Sequence, residues 1–377
     1  MKKVKLKELL TEYSDRNINQ TYKAVAVGKY GIRRREDIYS KELSKDISKN
    51  KLIYKDTMII GMGSNQIDIG ILTEDEIFSV SPAYTTYKIK NCNPKYLDYL
   101  LQQLNPKLSD KYMIISARQG KSVDKKGLLE FEVKLPDEIN QRKIAKTLEN
   151  LDNIIDKIQI LIDEKNAYIK SQFVEMFGNE KNKIKLKDAC YIKGRIGWQR
   201  LNRKEYLKKG DYYLVTGVDI MNNHRIDFNK CFYVSKERYE KDSKIQLKSG
   251  DIILTKDGTI GKVAMIYELD KPATLNSHLF VIRDISGNFD NIYFLNLFLS
   301  DIFMNFANKK TNGSTRKGLS QASIENFDIP LPAMTKQMEF RKIYELIDKQ
   351  KFELEKQKKN YELLKKGIMQ RLIDAQQ

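Results

Sequence analysis

The sequence predicts an α+β fold: two tandem globular domains joined by two long antiparallel helices that form an intramolecular coiled coil. Three observations predict it. The 377 residues are written as two copies of one unit. Each copy begins with short β-branched and aromatic runs punctuated by turn signals. Each copy ends in a long stretch with a helical seam and few breakers.

The repeat comes first because a missed repeat misreads the whole fold. Lys3-Val4-Lys5-Leu6-Lys7-Glu8 returns as Lys183-Ile184-Lys185-Leu186-Lys187-Asp188, 180 residues later. Asp56, followed by Gly63-Ser64, matches Asp251, followed by Gly258-Thr259, at an offset of 195. Phe131, Leu135-Pro136, Gln141 and Asp152 match Phe327, Leu331-Pro332, Gln337 and Asp348, all at 196. An ordered series with so steady an offset marks a tandem duplication. The boundaries read as 1–136 and 179–332 for the globular domains, 137–178 for a central helix and 333–377 for a C-terminal helix.

Within each globular part, Tyr54–Gly61 and Gly250–Thr255 read as strands running into loops. Tyr96–Leu101 and Ile292–Leu299 are denser in apolar residues and read as buried helices. After the Leu-Pro pair the pattern changes. Ile144, Leu148, Leu151, Ile155, Ile158, Ile162, Ile169 and Phe173 step by four and three, a heptad seam. No Pro or Gly interrupts 137–177, and Gly178 stands where a helix stop belongs. About forty residues make a rod of roughly 60 Å. Phe340, Tyr344, Ile347, Leu354, Tyr361, Ile368 and Leu372 repeat the seam, weakened by Lys351 and Lys358. One amphipathic helix cannot bury its stripe alone. Since both copies carry such a helix at the same place, the two are expected to pair antiparallel.

The chain carries 68 Lys+Arg against 50 Asp+Glu, a formal charge of +18. Such a surplus points to a polyanion, most often nucleic acid. Its distribution is informative. Residues 1–136 and 179–332 carry +8 each, the central helix −2 and the C-terminal stretch +4. Two equal basic footprints on separate domains suggest two contacts with one polyanion. Three distant cysteines, Cys92, Cys190 and Cys231, fit a reducing cytoplasm. No apolar run reaches the ~18 residues of a membrane span, and the basic start lacks the apolar stretch of a signal peptide. With two histidines and no Cys-x-x-Cys, a zinc site has no support.

Candidate recognition residues come from loops that combine glycine with groups able to bind phosphate or base edges. In the first copy they are Lys29, Arg33 and Arg34; Ser64, Asn65 and Gln66; and Arg118, Gln119 and Lys121. In the second they are Arg195, Gln199 and Arg200; Lys256, Asp257 and Thr259; and Ser314, Thr315, Arg316 and Lys317. The repeat match singles out the Gly63 and Gly258 loops. Trp198, the sole tryptophan, reads as a packing residue rather than a base-stacking one.

The motifs of several chemistries are missing. No Asn/Asp-Pro-Pro-aromatic string for adenine methylation occurs. Gly120-Lys121-Ser122 has the tail of a P-loop, but Ile115 holds the place of its first glycine. Gly261-Lys262 is followed by Val263. Glu132-Val133-Lys134 fits a short nuclease string, but its repeat counterpart Asp328-Ile329-Pro330 lacks the lysine, so it reads as structural. No nucleophile elbow is present. The chain reads as a non-catalytic binder, with no catalytic, cofactor or metal site of its own.

The sequence resembles the specificity subunits of type I restriction-modification systems over essentially its whole length. The most specific string is Leu135, Pro136, Gln141, Ile144, Leu148, Leu151, Asp152, with its echo at Leu331, Pro332, Gln337, Phe340, Tyr344, Ile347, Asp348. The run from Gly250 to Gly261 is a second hallmark. The first copy departs from it, with Lys55 before Asp56 and Gly61-Met62 in place of Thr-Lys. The resemblance implies two target recognition domains, each reading one half of a bipartite site on double-stranded DNA. It implies that the helices set the spacer and dock two methyltransferase (modification) subunits, which carry S-adenosylmethionine and flip the adenine they methylate. Where the system also cleaves, two restriction/translocase subunits with ATP and Mg are implied. A basic coiled-coil scaffold binding DNA without sequence preference is the alternative, and an unrecognised nuclease centre a third reading.

Overall fold

The computed structural model describes residues 1–28, 31–38, 46–63, 65–116, 120–195, 201–258, 260–311 and 318–376. They form two compact units. The first comprises Met1–Gln159 and Lys356–Gln377, the second Ile160–Glu355.

In the first unit, strand Lys2–Lys5 pairs antiparallel with Glu132–Leu135, which ties the two ends of the globular part together. A single helical turn, Leu6–Leu9, follows, and its Leu6 amide donates to the Phe131 carbonyl at 3.0 Å. Leu10–Tyr13 then enters a four-stranded antiparallel sheet in the order Leu10–Tyr13, Thr85–Ile89, Thr57–Met62, Ile67–Leu72. Met58, Ile60, Ile69 and Ile71 face helix Pro94–Tyr112, against Leu97, Leu100 and Leu104. Ile59 and Leu72 face the other way, onto Val25, Val27, Ile53 and Phe78. Covered on both sides, the central strands read as continuous apolar runs rather than alternating ones.

The second unit repeats this plan. Lys183–Lys185 pairs with Asp328–Pro330, and the Leu186 amide donates to Phe327 O at 2.9 Å. The sheet order is Cys190–Gly194, Leu279–Asp284, Ile252–Thr255, Val263–Met265. Two helices, Asn291–Leu299 and Asp301–Thr311, stand where the first copy has one. A further sheet, Phe232–Val234, Tyr212–Val215, Ala273–Leu275, has its last pair parallel.

The topology corrects one match. Ile252 and Leu254 share the helix-facing core, as Met58 and Ile60 do, whereas Ile253 and Ile59 face away. The structural offset on this strand is therefore 194, not 195. A one-residue slip would exchange the two faces, so burial decides the register. Asp56 is the counterpart of Gly250: both hold positive φ, 63° and 88°. Thr57 stands in the place of Asp251. The Gly63 and Gly258 loops still correspond as loops, but not glycine to glycine.

The Leu-Pro-x4-Gln string also acquires a physical role. Buried Gln141 accepts the Asn93 amide at 2.9 Å and donates to the Pro136 carbonyl at 2.8 Å. Buried Gln337 accepts the Asp290 amide at 2.8 Å and donates to Asn288 O and Pro332 O, each at 2.9 Å. Asn93 and Asp290 are themselves the N-caps of Pro94–Tyr112 and Asn291–Leu299. Each glutamine thus anchors the start of a long helix to the cap of the domain helix that precedes it, satisfying groups both ends would otherwise leave unpaired.

The long helices are Glu138–Phe177 and Met334–Asp374. Asp137 caps the first through the Asn140 amide at 2.9 Å. Within the first unit Asp152 pairs with Lys365, and Lys358 donates to Gln159 at 2.7 Å. Within the second, Lys165 donates to Gln350 at 2.6 Å, and Phe173 packs edge-on against Phe340. In both units one number rises as the other falls, so the helices run antiparallel, as the seams predict. Lys358 at a seam position keeps its amine on a polar partner while its stem lies along the helices.

Candidate nucleic-acid interface

In the first unit, Arg33, Arg34, Asn65, Gln66 and Lys121 fall on three elements. Arg33 and Arg34 are exposed on strand Gly31–Arg34, and Arg34 is held by Glu76 at 3.0 Å over the Phe78 ring. Asn65 and Gln66 lie in the loop between Thr57–Met62 and Ile67–Leu72. Lys121 is exposed on the hairpin strand Gly120–Val123, opposite Ile115. Beneath the loop lies Asp68, 8% exposed. A Cβ on Gly63 would stand 2.6 Å from its Oδ1, and one on Gly28 would stand 3.9 Å away. The ends of two hairpins thus meet over this carboxylate. Burial pushes Asp68 up to about 6.

That shift has a consequence for stability. A carboxyl whose folded pKa exceeds its unfolded one costs stability as pH rises from about 4 to 6, and the cost is complete above that. Asp68→Asn removes the buried charge while keeping the shape. Urea melts should show it more stable than wild type at pH 8 by on the order of 2 kcal/mol, with little difference at about pH 3. An equal difference at both pH values would mean that ionisation of Asp68 carries no cost.

In the second unit, Lys256 and Asp257 follow strand Ile252–Thr255, and Asp257 borders a groove of about 690 Å³. Arg203, Lys208 and Lys262 line it with cations, Tyr206 and Phe232 with rings 5.4 Å apart, and Asn276 and His278 with polar groups. Its parts sit at strand ends: the Lys256 amide donates to His278 O at 3.0 Å, and Lys256 O accepts the Leu319 amide at 2.7 Å. The Lys256 ammonium lies 5.0 Å from the Phe280 ring centre, and burial holds it below the usual lysine range. His278 Nδ1 donates to Asp257 Oδ1 at 2.6 Å. Gly258, at φ 70°, takes the chain through a turn that side-chain-bearing residues rarely adopt.

Arg195 differs from the expectation of a presented base. It is 3% exposed, and Nε and Nη2 both donate to the Leu275 carbonyl, at 3.1 and 3.0 Å. At the end of strand Cys190–Gly194 it braces backbone inside the domain. Glu132-Val133-Lys134 lies in the strand that pairs with Lys2–Lys5, as a ladder element. Lys29, Ser64, Arg118, Gln119, Trp198, Gln199, Arg200, Thr259, Ser314, Thr315, Arg316 and Lys317 lie outside the described residues.

Sequence reading missed His278, Arg203, Lys208 and Lys262. They come from separate segments, and only the ends of the folded strands bring them to Asp257. The one available signal was the polar turn Asn276-Ser277-His278 before an apolar strand, which ordinary turns share. Among the described residues there is no group of three or more His, Cys, Asp or Glu able to hold a metal, and no helix long and apolar enough to cross a membrane.

The comparisons with known proteins come to the same place. The family model for the type I restriction modification DNA specificity domain matches residues 1–164 and 179–364. The type I restriction enzyme MjaVIII specificity subunit of Methanocaldococcus jannaschii is 26% identical over 274 residues. That match spans 67% of this chain and 63% of the relative's length. In fold, the chain is similar to the S subunit of a type I restriction-modification system from M. genitalium, with TM-score 0.58, 13% identity, and coverage of 98% of this chain and 95% of that one. It is similar also to a chain from a study of assembly and conformational transition in the type I system, with TM-score 0.57, 12% identity, and coverage of 98% and 97%. The duplicated domain, the matched family model and the shared fold agree: this chain belongs to the type I restriction modification DNA specificity domain family, with two copies of the domain in tandem.

Proposed function

We propose that this chain is the DNA-reading subunit of a type I restriction-modification complex, each unit recognising one half of a bipartite double-stranded site. The observation that carries this is the repetition of one domain plan, with polar side chains at the loop end of the same hairpin in both copies, joined by cations in the second. Asn65 and Gln66 mark it in the first, Lys256, Asp257 and Lys262 in the second. The equal charge of the two globular segments supports two comparable contacts. The chain itself is non-catalytic in this reading. Two modification subunits supply S-adenosylmethionine and the methylation step, and two restriction/translocase subunits, in a system that cleaves, supply ATP- and Mg-dependent motor and nuclease activity.

The helices act as the ruler and as the docking ground for the modification subunits. Each runs about forty residues, long enough to separate two half-sites. Selection from randomised duplexes by the full chain with its modification subunits should yield two short motifs at a fixed gap. Removing seven residues from both helices at facing positions shortens each by ~10 Å. The selected gap should then contract by about three base pairs, at 3.4 Å per pair. Retention of the original gap would defeat the ruler. Steeply salt-dependent binding with no motif would favour a sequence-independent scaffold instead.

A further inference from the structure

The groove of the second unit holds an apparent contradiction. Arg203, Lys208 and Lys262 suit a phosphate backbone, yet Asp257 stands among them, and a carboxylate repels phosphate. None of those cations pairs with it: among the described residues its hydrogen-bond partner is His278. Because a carboxylate only accepts, the His278 Nδ1 carries the proton of that 2.6 Å bond. This fixes Oδ1 and orients the side chain, which remains 40% exposed at the groove. Oδ2 has no hydrogen-bond partner among the described residues. The backbone just before Asp257 is held in place, since Lys256 donates its amide to His278 O and accepts the Leu319 amide at its own carbonyl.

Duplex DNA offers a carboxylate few donors. In the major groove they are the exocyclic amino groups of adenine (N6) and cytosine (N4); guanine and thymine present acceptors or a methyl. Resting on the reading above, we propose that Asp257 is a specificity-determining residue of the second unit, accepting a hydrogen bond from the exocyclic amino group of an adenine or cytosine in its half-site, with His278 as the positioning residue. The surrounding cations hold the flanking phosphates, so that affinity and selectivity come from different side chains of one groove.

The test uses the full chain and duplexes selected from a randomised pool, comparing wild type with Asp257→Ala. Wild type should require A or C at one position of one half-site. Asp257→Ala should lose that requirement while keeping the other half-site and its gap, which also shows that the variant is folded. Replacing that base by its analogue without the amino group (purine for adenine, pyrimidin-2-one for cytosine) should weaken wild type about tenfold to a hundredfold and leave Asp257→Ala unchanged. His278→Ala should blur the preference, and His278→Gln, which can still donate to Asp257, should restore it. An unchanged motif in Asp257→Ala, or full wild-type affinity for the amino-free duplex, overturns this assignment alone. A wild type that selects no motif overturns the DNA-reading function itself.

Discussion

Asp251→Ala should cost about 3–5 kcal/mol and unfold the second unit first. Asp251 is fully buried, and its two oxygens accept Arg283 Nε at 2.6 Å and Nη2 at 2.7 Å. Oδ2 also accepts the Lys248 amide at 2.7 Å. Arg283, itself mostly covered, reaches on to Gln246 O at 3.0 Å, and its pairing with Asp251 raises its affinity for the proton. Removing the carboxylate strands a guanidinium and an amide together. Urea denaturation with hydrogen exchange should place the loss in the sheet of Cys190–Gly194, Leu279–Asp284 and Ile252–Thr255. Replacing both partners by apolar residues of similar volume should recover much of it, because neither charge is then left unpaired. A loss under about 1 kcal/mol in Asp251→Ala would mean that water readily replaces the pair. The hallmark Gly-Asp is thus a folding device: the glycine makes the turn at φ 88° and the aspartate locks the strand.

Gln337→Ala should cost about 3 kcal/mol, since it leaves one amide and two carbonyls without partners at a fully buried site. Gln141→Ala should cost about 2 kcal/mol, as it releases one amide, one carbonyl and the weakly donating Cys92 thiol. Exchange should accelerate at the N-termini of Asn291–Leu299 and Pro94–Tyr112 respectively. Gln337→Glu should fare no better than alanine, because it loses the donor and brings a buried charge against two carbonyl oxygens. If the two variants left exchange at those caps unchanged, the glutamine would not be the anchor of the helix start.

Much of the architecture was legible. The offsets of 180 and 196 correspond to the Leu6–Phe131 and Leu186–Phe327 contacts that close each domain. The seams found their antiparallel partners, and the apolar blocks became the domain helices. The central hairpin was legible only to within one residue. Asp56 and Asp251 are the same letter in similar strings, and a match of letters carries no information on which face of a strand a side chain takes. The recognition surface was less legible. Asp257 borders the groove, but Arg195, drawn from an equally basic Gly-Arg string, is buried against the Leu275 carbonyl.

The duplication, the two long helices and the even division of charge follow from the sequence alone, because repeat, period and charge are read from residue order without knowing which segments pack together. Only the tertiary structure decided the strand register, the structural duties of Gln141, Gln337 and Asp251, and the meeting of Asp257 with His278, 21 residues away. Those depend on which strand ends lie side by side. That is set by how two faces of a sheet are covered at once, a condition no local pattern states.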